Sequence, residues 1–283
     1  MTDIQSNLTN ASKQLAESSD SALLDAEVIL CHVLNKSRSH LRAWPEKELS
    51  TAHQSQFLTL IKRRQQGTPV AYITGNREFW SRDFSVSPDV LIPRPDTELL
   101  IELSLDLLAN KPNASIIDLG TGSGIIAITL AAERPDLKII ACDSSLPALA
   151  IAQQNAHQLK TPSVQFIQSN WFNDLAPEKF DLVISNPPYI DCNDIHLSQG
   201  DVQFEPKSAL IADDTGLKDI KKISHHARYF LKQNGTLLIE HGFDQQEAVQ
   251  AIYDNYKYSQ IKTHADLSGN PRVTSAQWNK NES

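Results

Sequence analysis

The chain has 283 residues, with 26 Lys and Arg against 34 Asp and Glu, a formal net charge of −8, and 40% hydrophobic residues. That length fits two domains, and the apolar share is enough to bury sizeable cores, so a disordered chain is excluded. The negative balance argues against binding a phosphate backbone by bulk charge, which needs a basic footprint. Lys62-Arg63-Arg64 and Lys221-Lys222 are short and read as solvated helix faces.

Cys31, Cys142 and Cys192 lie far apart without C-x-x-C spacing, which gives neither a disulfide framework nor a zinc site and suits a reducing cytoplasm. No metal is expected, since the nine histidines are scattered and His225-His226 has no matching carboxylate or cysteine motif. Met1 to Ser12 is polar, and no apolar run approaches the ~18 residues of a membrane span. The expectation is a soluble, cytoplasmic protein.

From Asp20 to Leu34, Leu23, Ala26, Leu30, Val33 and Leu34 follow helical spacing, with Ser19 or Asp20 as N-cap. A second helix is predicted over Ser50 to Gln66, with Phe57, Leu60 and Ile61 inward and Gly67 as its stop. Residues 1–75 thus read as a small helical domain, and residues 76–94 as a β-hairpin linker built from Arg77 to Trp80 and Phe84 to Val86. Pro93-Arg94-Pro95-Asp96 breaks the chain, and Asp96 and Thr97 can begin a helix carrying Leu99, Leu100, Leu103 and Leu107.

Residues 95–283 then alternate. Strands are predicted at 115–119, 138–142, 164–167, 180–185, 235–240, 259–263 and 272–277, and helices at 123–133, 145–159, 217–231 and 244–254. Short apolar strands between amphipathic helices imply an α/β fold with a mostly parallel seven-stranded sheet covered on both faces.

Glycine totals only 10, yet Gly120-Thr121-Gly122-Ser123-Gly124 follows the first of these strands directly. Open α/β sheets bind ligands at such a strand end, where glycines let the backbone turn sharply. The next strand ends in Asp143, 23 positions after Gly120, near the ~20-residue offset at which a carboxylate accepts from ribose hydroxyls. Ile125 occupies the place where a dinucleotide fingerprint has glycine, and no G-K-[ST] is present. An adenosine ligand without a pyrophosphate fits better, with S-adenosylmethionine as the candidate.

The strand 180–185 runs into Asn186-Pro187-Pro188-Tyr189, a rigid loop at the same sheet edge, since prolines cannot continue a strand. A planar NH2 group is a poor nucleophile carrying two hydrogens. The Asn186 side-chain oxygen can accept one and a proline-loop carbonyl the other, holding the nitrogen in line with a sulfonium methyl. The same acceptors stabilise positive charge as it develops, without a dedicated general base, and Tyr189 can pack its ring against the planar group.

On these residues the chain resembles the peptide chain release factor glutamine methyltransferases, of the Rossmann-like class I S-adenosylmethionine-dependent fold. The likeness runs nearly end to end through Phe79-Trp80, Val86 to Pro88, Leu91 to Glu98, the glycine loop, Asn186 to Ile190, Phe204-Glu205-Pro206 and Glu240-His241-Gly242. It implies that Gly120 to Gly124 and Asp143 hold the cofactor, that Trp171 flanks its adenine, and that Asn186 to Tyr189 hold the substrate amide, with Asn186 also at the cofactor. The implied substrate is the glutamine of the Gly-Gly-Gln motif of release factors, docked by the helical domain. Neither nucleic acid nor membrane is an expected partner, and the expected state is a monomer. Asn170 stands where the family commonly has Asp, which predicts an altered adenine contact. The competing readings are a methyltransferase acting on exocyclic amines of DNA or RNA, which would need a basic groove, and a non-catalytic S-adenosylmethionine-binding protein.

Overall fold

The structure, a computed structural model, describes residues 2–279. Met1 and residues 280–283, the outer ends of the first and last domains read from the sequence, lie outside the described residues. The chain forms two compact units, Met1–Asn76 together with Ser198–Phe204, and Arg77–Leu197 together with Glu205–Ser283.

The first unit contains α1 (Ile4–Leu15), α2 (Ala22–Leu34), α3 (Arg38–Ala43), α4 (Thr51–Gln65) and α5 (Val70–Thr74). The polar stretch at the start of the chain conceals α1, whose apolar residues are sparse but sit on one face. Ile4, Leu8, Ala11 and Leu15 are all buried, and the Asp3 side chain caps the helix by accepting from Ser6 N at 2.7 Å. Helix α2 begins later than its spacing predicts because the expected cap is used otherwise. Ser19 and Ser21 both donate to the Asp25 carboxylate at 2.8 Å, leaving the helix without a side-chain cap. Asp25 also accepts from Arg64 Nε at 2.7 Å, and Arg64 Nη1 reaches Asp201 at 2.9 Å, which holds the segment Ser198–Phe204 in this unit.

The hairpin strands are β1 (Asn76–Phe79) and β2 (Arg82–Ser85). Trp80 and Ser81 both take positive φ, 52° and 56°, the turn geometry that matches the twist of two antiparallel strands. Phe79 and Phe84 meet edge-on at 6.2 Å and join the core beneath the turn.

After a 3₁₀ turn at Pro95–Thr97, α6 (Glu98–Leu108), β3 (Ser115–Leu119), α7 (Ile125–Glu133), β4 (Lys138–Asp143), α8 (Leu146–Gln158), β5 (Val164–Gln168) and β6 (Phe180–Ser185) follow. The chain ends with α9 (Lys207–Leu210), α10 (Lys218–Ala227), β7 (Leu231–Glu240), α11 (Gln246–Asn255), β8 (Ser259–Ala265) and β9 (Pro271–Trp278). The seven strands β3 to β9 make one sheet in the order β5-β4-β3-β6-β7-β9-β8, and β9 runs antiparallel to both its neighbours.

Period-two burial builds two cores. Ile116, Leu182, Ile184 and Leu238 face the layer of α6 and α7, while Ile117, Val183, Leu237 and Ile239 face that of α10 and α11. Helix α10 stops at Ala227, short of the expected Leu231, where β7 already begins. Phe230 stacks on Phe172 at 4.5 Å and its carbonyl accepts from Phe180 N at 2.7 Å, which draws this stretch out of the helix and onto the sheet.

Candidate active site

From β3 the strand order runs outward in both directions, to β4 and β5 on one side and to β6 and β7 on the other. The gap beyond the carboxyl ends of β3 and β6 is therefore the switch point at which open sheets bind ligands. Leu119 and Ser185 pair in register at the ends of the two strands, and Ser185 Oγ donates to Leu119 O at 2.7 Å. The glycine loop and Asn186-Pro187-Pro188-Tyr189 consequently leave the sheet side by side.

Gly120 and Gly124 have φ of 71° and 85°. A Cβ would meet the Trp171 ring at 3.2 Å in the first case and Ile128 Cδ1 at 2.6 Å in the second, so the dihedral calls for glycine at both and the crowding adds to it. Asn155, fully buried on α8, donates to Ser123 O at 2.9 Å and bonds both backbone groups of Ser85, tying this loop to the hairpin.

Asp143 accepts from Gly122 N through Oδ2 and from Ser145 N through Oδ1, both at 2.9 Å. Each carboxylate oxygen keeps a lone pair for a ligand hydroxyl, and the side chain lines the cavity. Beneath the loop, Asp118 accepts from Thr121 Oγ1 at 2.6 Å while its Oδ1 has no partner. Burial pushes its carboxyl up to about 7, and the Asp143 charge acts in the same sense, against the hydrogen bonds from Thr121 and Ala127.

The cavity measures about 470 Å³. Gly120, Thr121, Gly122, Ser123, Asp143, Trp171, Asn186 and Pro188 line it, whereas Gly124, Pro187 and Tyr189 do not. Trp171 Nε1 donates to Asp219 at 3.1 Å, which fixes the ring at the cavity wall. Asn170 also lines the cavity, with its Oδ1 taken by Lys222 Nζ at 2.8 Å.

Asn186 Nδ2 donates to Thr97 Oγ1 at 3.1 Å, and the hydroxyl of Tyr189 donates to Glu240 Oε1 at 3.3 Å. The Tyr189 carbonyl accepts from Gln245 Nε2 at 2.9 Å. Glu240 is 1% exposed, its Oε2 has no partner, and burial pushes its carboxyl up to about 7 despite the Thr97 hydrogen bond and the Arg272 charge. Arg94, half-buried, meets the wholly buried side chain of Glu205. Glu205 also accepts from Ile92 N at 3.0 Å and so clamps the proline-arginine segment at the cavity edge.

Asn155, Asp219 and Gln245 carry no sequence signal of their role, because each acts on a residue distant in the chain. Thr97, Glu205 and Glu240 fall within motifs of the resemblance, and their burial is the signal that periodicity does not supply.

An open sheet of this strand order, with a glycine loop and an acidic strand end at its switch point, defines a Rossmann-like methyltransferase. A model of the methyltransferase small domain matches residues 96–202, and the structure of a methyltransferase from Pyrococcus furiosus superposes with a TM-score of 0.53 at 15% identity, covering 80% of this chain and 99% of that one. The PrmC N-terminal domain model matches residues 7–75. Release factor glutamine methyltransferases from Vibrio cholerae and Escherichia coli are 50% and 46% identical to this chain, covering 97% and 94% of it and 96% of each relative. The chain belongs to the release factor glutamine methyltransferase family. Among the described residues no helix is long and apolar enough to cross a membrane.

Proposed function

We propose that this protein transfers a methyl group from S-adenosylmethionine to the side-chain amide nitrogen of the glutamine in the Gly-Gly-Gln motif of peptide chain release factors, giving N5-methylglutamine and S-adenosylhomocysteine. The observation that carries this reading is the placement of Asn186 at the cavity: its Nδ2 donates to Thr97 Oγ1, and its Oδ1 is the acceptor for an incoming NH2.

The residues present fit the nucleoside. A carboxylate with one free lone pair on each oxygen, a backbone turn with open space at Gly122, and an indole fixed at the wall form a donor and stacking set for ribose and adenine. When bound, S-adenosylmethionine supplies an electrophilic methyl carbon on a sulfonium. Asp143 accepts from the ribose hydroxyls, Trp171 flanks the adenine, and the turn at Gly120 to Gly124 allows close backbone approach.

Asn186 Oδ1 and a carbonyl of the proline loop accept the two hydrogens of the glutamine amide and hold its lone pair toward the methyl carbon. As the nitrogen becomes positive, both acceptors are already oriented and need no reorganisation. The proton then leaves to water, so no acid/base pair is assigned. Tyr189 braces the loop from below through Glu240. The helical unit serves as the docking module for the body of the release factor.

Methyl transfer from labelled S-adenosylmethionine tests the reading on purified release factor, its Gly-Gly-Gln glutamine-to-alanine variant, and DNA and RNA in parallel. Label on the intact factor alone is the expected result. Label on nucleic acid overturns the substrate, and cofactor binding with no label on any of them overturns the catalytic reading.

A further inference from the structure

We propose that Gln245 and Gly216 are positioning residues for methyl transfer, holding the far end of the Asn186 to Tyr189 loop so that its carbonyls meet the substrate amide in one geometry. This rests on that loop being the acceptor for the glutamine amide. Neither residue lines the cavity, and both act on the Tyr189 carbonyl. Gln245 stands at the cap position of α11, yet its side chain makes no capping bond. Its amide is used elsewhere: Nε2 donates to Tyr189 O at 2.9 Å and to Thr215 O at 3.2 Å, and Oε1 accepts from Gly242 N at 2.9 Å. A backbone carbonyl only accepts and a backbone N-H only donates, so this amide has a single orientation.

Gly216, next to Thr215, has φ of 80°, and a Cβ there would lie 2.0 Å from Tyr189 O and 2.7 Å from Gln245 Nε2. The Tyr189 carbonyl therefore lies against a residue with no room for a side chain. The chain beyond it is fixed as well, since Ile190 N donates to Leu210 O at 2.9 Å and Ala212 N to Ile190 O at 3.0 Å. Two locked dihedrals transmit this hold along the loop. Proline keeps φ at about −65°, so Pro187 and Pro188 leave few rotations between Asn186 and Tyr189. Thr97 anchors the Asn186 side chain and Glu240 the Tyr189 hydroxyl. With the Tyr189 peptide also fixed, the proline carbonyls between these anchors cannot turn away from the reacting nitrogen.

The test is Gln245→Glu, which keeps the shape and the acceptor for Gly242 N but sets a carboxylate oxygen against two carbonyls. Turnover is measured at saturating release factor and S-adenosylmethionine, and titration with S-adenosylhomocysteine counts the folded sites, so that kcat refers to competent sites alone. The expected result is a fall in kcat of about ten- to hundredfold, the scale of a displacement of about 1 Å at a reacting centre. KM for the release factor and the affinity for S-adenosylhomocysteine stay within about threefold of wild type. Gly216→Ala, which presses a methyl group into the same carbonyl from another residue, gives the same pattern. Wild-type kcat per site in Gln245→Glu or in Gly216→Ala overturns the proposal, as does a raised KM at unchanged kcat or a cofactor affinity lost in step with the rate. If Gln245→Glu does not fold, Gln245→Met, which drops the donor without adding charge, decides by the same readings. Asn186→Ala separates the two levels: full turnover in that variant overturns the reading of the loop itself. Loss of turnover there with wild-type rates in Gln245→Glu overturns the positioning claim alone.

Discussion

The two loops at the switch point are built on different physical principles. The glycine loop is a local object whose shape follows from positive φ at Gly120 and Gly124, and its carboxylate, Asp143, is pinned partly by Ser145 N two positions away. The Asn186 loop is a non-local object. Its first residue is held by Thr97, 89 positions away, and its last by Glu240, 51 positions away. A cofactor pocket made of backbone turns tolerates change in its surroundings. An amide whose donor and acceptor ends must not be exchanged depends on distant side chains for its direction.

The largest effect expected from breaking this contrast lies on the second loop. Asn186→Ala should lower turnover by about 10²- to 10³-fold, the loss typical of removing one oriented partner of a developing charge, while S-adenosylmethionine titration changes little. Comparable turnover in the variant would show that the loop works by shape alone. On the first loop the pattern reverses. Asp143→Ala should weaken cofactor binding by about 10- to 100-fold, the range for hydrogen bonds to a charged group, with turnover largely recovered at saturating cofactor. Isothermal titration beside steady-state rates separates the two, and unchanged affinity would remove Asp143 from the ribose.

Gly124→Ala sharpens the comparison through stability. The new methyl group meets Ile128 Cδ1 at 2.6 Å on a backbone at φ 85°, so a loss of about 1–3 kcal/mol and a lower Tm are expected. An unchanged Tm would mean that the turn relaxes freely, against the local rigidity argued for this loop.

The smallest effect is in pH dependence, where both loops contribute. Asp118 and Glu240 titrate near 3.8 and 4.5 in an unperturbed chain, and burial pushes both to about 7 in the folded protein. Between those values the folded state holds more protons than the unfolded state, so stability is greatest below about pH 4 for these two groups and declines as pH rises toward 7. Asp118→Asn should flatten part of that decline in thermal melts from pH 5 to 8. An identical slope in the variant would mean that Asp118 titrates normally.

The legibility of each region follows the same division. Strands 115–119 and 180–185 could be read to the residue because fully buried parallel strands are continuous apolar runs between punctuating residues. Asp143 could be placed because one strand and one helix separate it from the glycines. Helix α1 was hidden because four apolar residues among polar ones give a weak periodic signal until the face they share is covered. The start of α2 departs from its spacing because a serine beside a helix can cap it or bond a carboxylate, and Asp25, held by Arg64 from elsewhere in the unit, draws Ser19 to itself. The return of Ser198–Phe204 to the helical unit has no local signature, since it rests on the Arg64 to Asp201 pair across 137 positions.

By itself the sequence determined the alternation of strands and helices, the loop that only glycine can form, and the residue types suited to a nucleoside and a planar NH2. Those properties reside in short stretches, where backbone dihedrals and side-chain chemistry act within one turn or one strand. Only the tertiary structure decided which hydroxyl meets the Asn186 amide, which buried carboxyl receives the Tyr189 hydroxyl, and that Arg94 is paired with a buried Glu205. Hydrogen bonds have direction, and direction is set by the partner that folding brings near, whatever its distance along the chain.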